Sequence, residues 1–281
     1  MIKLTFETNT ADGIEAAAIA VPGGNGGKVI KIETDLKYLW LCLDGIKDEA
    51  LLYIPGGEYD FIIPEGQPAC SFPEGIFDSE FTLTARKPAD GDEHKRRNLA
   101  LNPLDVQFDS EVTQFDAPDY VNPVNSAAIE NGEVQCYPHI YANRVTRHEG
   151  CFYAKNVIDG INTKGGHGNY PYHSWGTAQY KDPTLIIYFG REVCIDMVSL
   201  ALRSDYALME NGIEHDTYWP SATLEFSDGT SMVIHPVKTG DYQDFKFEEK
   251  TVEWIRLKEL IPERTDNFAS LNQLCVWGCD K

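Results

Sequence analysis

Two segments of this 281-residue chain concentrate side chains that could do chemistry. Residues 162–181 read NTKGGHGNYPYHSWGTAQYK and hold His167, Tyr170, Tyr172, His173 and Trp175. Residues 203–219 read RSDYALMENGIEHDTYW and hold Arg203, Asp205, Tyr206, His215, Asp216, Tyr218 and Trp219. Aromatic planes remove the C–H face of a pyranose ring from water. Arg, Asp, His and Asn bond its hydroxyls in fixed geometry. A binding site for a hydroxylated ring is therefore within the means of these loops. Arg203, His173, Asp216 and Trp219 are expected to line one pocket, with Trp219 or Tyr218 as its platform.

The same residues admit structural roles. Trp175 could be core, and Tyr172 could pack beside Pro171. Arg203 could be a buried partner of Asp205 or Asp216. Asp205, His215 and Asp216 could bond within their own loop. Two other functional classes stay open. His167, His173, His215, Asp205 and Asp216 could assemble an acid/base or metal site. The chain has no HExxH, GxSxG or P-loop pattern, so binding without catalysis is the leading expectation. The aromatic loops could instead serve as a protein-docking patch.

Strands must carry these loops. Alternating β-branched and aromatic runs recur between Gly, Pro, Asn and Asp clusters, which predicts an all-β chain of two sandwiches. The first part offers strands at 2–7, 16–21, 29–34, 38–43, 50–54, 59–63 and 80–85, separated by PGGNGG, DG and PGG. The second offers 184–189, 197–203, 221–226, 231–235, 243–247, 252–260 and 271–277, with at most a short helical turn at 152–158. Residues 86–98 are charged, and 99–135 are rich in Pro, Asp and Asn. The expected division is an N-terminal sandwich (1–98), a connector (99–135) and a second sandwich (136–281).

The second part resembles a known family. Ala154-Lys-Asn-Val-Ile-Asp-Gly160, followed by a loop with Trp175, is similar to the opening of discoidin, or coagulation factor V/VIII type C, domains. Pro183-Thr-Leu-Ile-Ile-Tyr-Phe-Gly190 resembles their next strand, and Val198-Ser-Leu-Ala-Leu-Arg203 the strand that ends in Arg. Ala222-Thr-Leu-Glu-Phe-Ser-Asp-Gly229, Val252-Glu-Trp-Ile-Arg-Leu257 and Leu271-Asn-Gln-Leu-Cys-Val-Trp-Gly278 resemble later strands in the family's order. The resemblance implies a galactose-binding-like jelly roll with ligand loops at one end, and a carbohydrate partner, as in family 32 carbohydrate-binding modules. Animal members of the family often take phospholipid or protein. It also implies a structural Ca²⁺ site, to which Asp159, Asn162 and Thr163 would contribute. Asn272 and Gln273 stand where a Glu ligand is expected, which favours weak Ca²⁺ dependence or none. Asp159 could equally cap a turn. The first hundred residues lie outside this resemblance.

Bulk composition narrows the partners. With 24 basic and 44 acidic residues the net charge is −20, which disfavours nucleic acid and anionic membrane. The seven Cys are odd in number and form no CxxC pair, so free thiols are expected. MIKLTFETNT at the start lacks the apolar run of a secretory leader, from which a cytoplasmic location is expected.

Overall fold

Alternation of side chains decides the architecture. In Ile2–Phe6 every second residue is buried, so one face of this strand (β1) meets a core and the other meets water. The same rhythm runs through Ala16–Val21 and Phe81–Arg86. The computed structural model describes residues 1–23, 28–43, 50–63, 80–105, 134–164, 166, 168, 173–179, 182–206, 209–210, 212–265 and 267–281. It is all β, and its described helical turns are short 3-10 segments at Asp92–His94, Thr146–His148, Gly150–Phe152 and Ala154–Val157.

The first sheet joins β1, β2 (Asn9–Gly13), β3 (Ala16–Val21), β4 (Lys28–Leu43), β5 (Leu51–Ile63) and β6 (Phe81–Arg86). The order is β2-β1-β4-β6-β3, with β5 along the other side of β4. The pairs expected at 29–34/38–43 and 50–54/59–63 are each one long strand. An irregularity between Thr34 and Tyr38 bends β4 without ending it. Pro55-Gly56-Gly57, expected as a turn, lies inside β5 across from that bend. A Cβ on Gly56 would sit 1.7 Å from the Leu36 carbonyl oxygen, so the bend closes only on glycine.

The second sheet is built on three long strands: β10 (Leu185–Leu202), β16 (Gln243–Ile261) and β17 (Phe268–Asp280). β7 (Arg97–Asn98), β8 (His139–Ala142), β9 (Trp175–Gly176), β13 (Asp216–Thr217), β14 (Ser221–Phe226) and β15 (Ser231–Ile234) complete it, and β11 (Met209–Glu210) pairs with β12 (Ile213–Glu214) outside it. Again, pairs of expected strands merge through bulges. The β10 bulge spans the turn at Gly190, whose φ of 68° and contact with the Tyr137 ring exclude a side chain.

That bulge also aims Arg191 at the first sheet. Its guanidinium lies 4.8 Å from the Trp40 ring centroid and 4.9 Å from that of Tyr53. Arg97 approaches Trp40 from 4.9 Å. Asp280 joins both arginines, at 2.9 Å to Arg191 Nε and 2.9 Å to Arg97 Nη2. Each sheet has its own apolar cluster, and the start of the expected connector feeds both: Leu99 and Ala100 enter the second, Leu101 and Leu104 the first. Cys136 also packs in the first cluster, while residues 106–133 lie outside the described residues.

Candidate functional site

Arg203 follows the last residue of β10, and its N–H donates to the Ser270 carbonyl at 3.0 Å. Its guanidinium Nη2 lies 3.2 Å from Asp216 Oδ1. The same oxygen is 2.7 Å from His215 Nδ1, and Oδ2 accepts the Asp205 N–H at 2.7 Å. β13 carries Asp216 parallel to Phe268–Ala269 of β17, and His215 stacks on Phe268 at 5.2 Å. Arg203, His215 and Asp216 are all buried, with Asp216 only 1% exposed. Burial depresses the Arg203 pKa, opposed by the charges of Asp216 and then Asp205. A carboxylate held by a guanidinium, an imidazole and a backbone N–H inside the fold shapes a loop; it is not presented to a ligand or a reacting bond.

Trp219 corrects the expectation of an exposed platform. It is 3% exposed and sits 6.0 Å from Trp175 between ring centroids, in the second core. Trp175 is fully buried, and its indole N–H donates to the Arg144 carbonyl at 2.8 Å. Both rings are driven in by the apolar area they hide. Tyr218 is half-buried against the same core, its carbonyl accepting the Glu263 N–H. His173 is buried, and Asp205 is half-buried. His167 and Tyr172 lie outside the described residues.

One concave surface does form at this end. A depression of about 440 Å³ is lined by Thr177 and Gln179 from the first loop, Trp219 from the second, Arg264 and Asn267 from the turn between β16 and β17, and Ala269 from the start of β17. Of the four residues expected to share a pocket, Trp219 lines this depression; Arg203, His173 and Asp216 are buried and are not among its described lining residues. Thr177 Oγ1 donates to the Ala269 carbonyl at 3.2 Å, tying the first loop to β17. Asn267 Oδ1 accepts from Arg264 Nη2 at 3.0 Å, and its amide donates to the Glu214 carbonyl. Gln179 is exposed and makes no hydrogen bond through its side chain within the described residues. Sequence reasoning missed Arg264, Asn267 and Gln179, since single polar residues in the turn Pro262-Glu-Arg-Thr-Asp-Asn267 show no pattern until β16 and β17 are paired.

The possible calcium ligands can be tested on their geometry. Asp159 Oδ1 accepts the Ile161 N–H at 2.8 Å, the bond of a capped turn. Burial pushes the carboxyl up to about 7, although the residue as a whole is half-buried; its oxygens face inward. The Gln273 amide nitrogen stands 2.7 Å from Asp159 Oδ1 and from the Asn272 carbonyl, and 3.0 Å from the carbonyls of Asn156 and Ile161. Gln273 Oε1 accepts the Gly160 N–H at 3.1 Å. Asn162 and Thr163 turn instead to Asn272, which donates to the Thr163 carbonyl at 2.7 Å. An N–H donor set amid the oxygens leaves no place for a cation, so these residues do not fit Ca²⁺, which needs six to eight oxygens. Among the described residues no group of three or more His, Cys, Asp or Glu could hold a metal.

No family model matches the chain, and no curated protein matches it. Over about half of the chain it is similar to solved structures that include carbohydrate-binding modules and a Ruminococcus gnavus GH29 fucosidase. The family 32 module of Clostridium perfringens NanJ, in complex with galactose, is 16% identical over 49% of this chain and 91% of that one, with a TM-score of 0.36. Chitosan-binding module 2 from a Paenibacillus chitosanase/glucanase, in complex with chitotriose, is 14% identical over 50% of this chain and 96% of that one, TM-score 0.36. A Streptococcus pneumoniae fucose-binding module is 10% identical over 50% and 92%, TM-score 0.36.

Proposed function

We propose that the second sheet binds a mono- or oligosaccharide at the loop-end depression, without transforming it. The observation that carries this reading is the make-up of that depression. Its apolar wall combines the exposed Ile261 with Pro262 over the buried Trp219 and Ala269, and its rim offers the uncommitted Gln179 carboxamide and the Arg264 guanidinium. This is one face for C–H groups and two kinds of polar group for hydroxyls. The sugars named with the compared modules are galactose, chitotriose and fucose, and they form a sensible first panel. His215 and Asp216 are tied into a buried node with Arg203 and are assigned to loop shape. The first sheet acts as a scaffold, clamped on through Arg191, Arg97 and Asp280.

A shallow site of this kind exchanges water for hydroxyl bonds with small net gain. A Kd between tens of micromolar and millimolar is expected, about 4–6 kcal/mol. A glycan array followed by calorimetry tests it. Gln179→Ala and Arg264→Ala should each weaken binding roughly tenfold, about 1.4 kcal/mol, with little change in melting temperature. Trp219→Ala is a poor probe, because removing a core ring costs about 3–5 kcal/mol of fold stability. Absence of binding to any saccharide, or turnover of a bound one, rejects the proposal.

A further inference from the structure

A second cavity lies far from the loop end. It has a volume of about 540 Å³ and opens between the segment Lys95–Leu101 with Leu51 on one side and the outward face of β10, β16 and β17 on the other. Strand register builds its floor. Ser199 is paired with Asp244 across to β16 and with Cys275 across to β17, and Met197 is paired with Trp277. These side chains therefore share one face of the sheet. Ala269 of the loop-end depression and Trp277 are eight residues apart on β17, roughly 26 Å along the strand. One monosaccharide cannot touch both places.

A relay of hydrogen bonds fixes this floor. The Trp277 indole N–H donates to Ser199 Oγ at 2.9 Å, and Ser199 donates in turn to Asp244 Oδ1 at 2.7 Å. Ser199 is 2% exposed, so the hinge of the relay is inside the protein. Most other polar groups of the cavity are committed. Arg97 is spent on Asp280, Asn98 caps the N–H groups of Ala100 and Val276, and Gln273 closes the Asp159 loop. Asp244 differs: among the described residues it makes no ion pair, and its second carboxylate oxygen accepts no hydrogen bond. An acceptor aimed by a buried hydroxyl, beside the half-buried Trp277 and the exposed Tyr242, is a preorganised receptor for a ring that carries hydroxyl donors. A mere seam between two packed halves would instead be apolar, or would have its polar groups paired with each other.

We propose that this cleft is a second binding site for a neutral carbohydrate ring, with Asp244 accepting its hydroxyls and Trp277 and Tyr242 flanking it. The choice of carbohydrate over another hydroxylated ring rests on the loop-end reading; the existence of the site does not. Charge agrees with a neutral ligand, since a chain of net charge −20 repels anions.

The test is an amide-resolved NMR titration of the full chain with galactose, fucose and chitotriose, each to tens of millimolar. Two separate groups of shifting amides are expected, one at 177–179 and 264–269 and another at 197–199, 242–244 and 275–277. Asp244→Ala changes an exposed residue but removes the acceptor of the buried Ser199 hydroxyl, so a lowered melting temperature with the fold retained is expected. It should weaken binding at the second group at least tenfold and leave the first untouched. Shifts confined to the loop end overturn the second site while the first stands. Shifts confined to the cleft, abolished by Asp244→Ala, sustain this inference and reject the loop-end site. No shifts with any of the three sugars reject both. Cleft shifts that survive Asp244→Ala unweakened also overturn the proposal, because they would not depend on the relay.

Discussion

Two buried polar nodes fasten loops to β17, and they solve one problem with opposite chemistry. Near the start of the strand, Asp216 gathers Arg203, His215 and the Asp205 N–H around a carboxylate. A few residues on, Gln273 places an amide nitrogen among four oxygens from residues 156–161 and 272. The first centre is an acceptor surrounded by donors, the second a donor surrounded by acceptors. The first is charged and buries an ion pair, so its worth depends on both partners staying. The second is built on a neutral amide, and loss of its centre leaves three carbonyls and the Asp159 carboxyl behind, with no buried cation stranded. The contrast teaches that buried polarity here serves loop shape in both places, while the groups proposed to meet ligand, Gln179 and Arg264 at one end and Asp244 in the cleft, belong to neither centre.

Removing each centre sharpens the comparison. Asp216→Ala should have the larger effect, because Arg203 would remain buried without its carboxylate. A loss of about 3–5 kcal/mol is expected. Chemical denaturation with an unchanged m-value would measure it. A loss below about 1 kcal/mol would mean that water reaches Arg203 and that the node is not ionic in effect. Gln273→Ala should cost less, about 2–3 kcal/mol, since the orphaned groups are a Gly N–H, a turn carboxyl and carbonyls. Gln273 and Gly160 also line the cleft, so water can enter and compensate in part. Equal losses for the two variants would erase the distinction between a charged and a neutral centre.

How much of this was legible in the sequence follows from which signals are local. Alternation placed the cores of most longer strands, because burial of every second residue leaves a period-2 trace, but it missed β2, whose residues are largely exposed, β8, whose four residues are all buried, and the two-residue strands. It could not show that 184–189 and 197–203 are one strand, since a bulge reads like a turn until the partner strand is known. The possibility that Arg203 pairs with Asp216 was readable from residue type, and the structure selects it. Trp219 was not readable: an aromatic at a strand entrance looks the same whether it faces water or Trp175. The cleft was invisible for a stronger reason. Asp244, Ser199 and Trp277 are 45 and 78 residues apart pairwise from Ser199, and only the register of three strands brings them together. The Asn272-Gln273 pair, by contrast, flagged the calcium question directly, although only distances could show that the amide takes the central place.

The smallest expected effect is the sharpest test of the Gln273 node. Chelator or added Ca²⁺ should move the melting temperature of the wild-type protein by no more than about 1 °C, because a ligand stabilises only what it binds. The argument is a count of oxygens. Asp159 Oδ1 and the carbonyls of Asn156, Ile161 and Asn272 are the four around the amide nitrogen. Four is short of what Ca²⁺ requires, and the N–H protons point at the place it would take. Gln273→Glu removes those protons and adds up to two carboxylate oxygens, which brings the shell to about six. The present spacings of 2.7–3.0 Å need close by only a few tenths of an ångström to reach Ca–O distances of about 2.3–2.6 Å. In the absence of metal this variant faces Asp159 with a second carboxylate and should melt several degrees below wild type. Millimolar Ca²⁺ should restore most of the loss, at about 2.7 kcal/mol for a hundredfold excess over Kd. If chelator instead destabilises the wild type by several degrees and Ca²⁺ reverses it, the amide is not the centre of the node and the contrast with Asp216 fails.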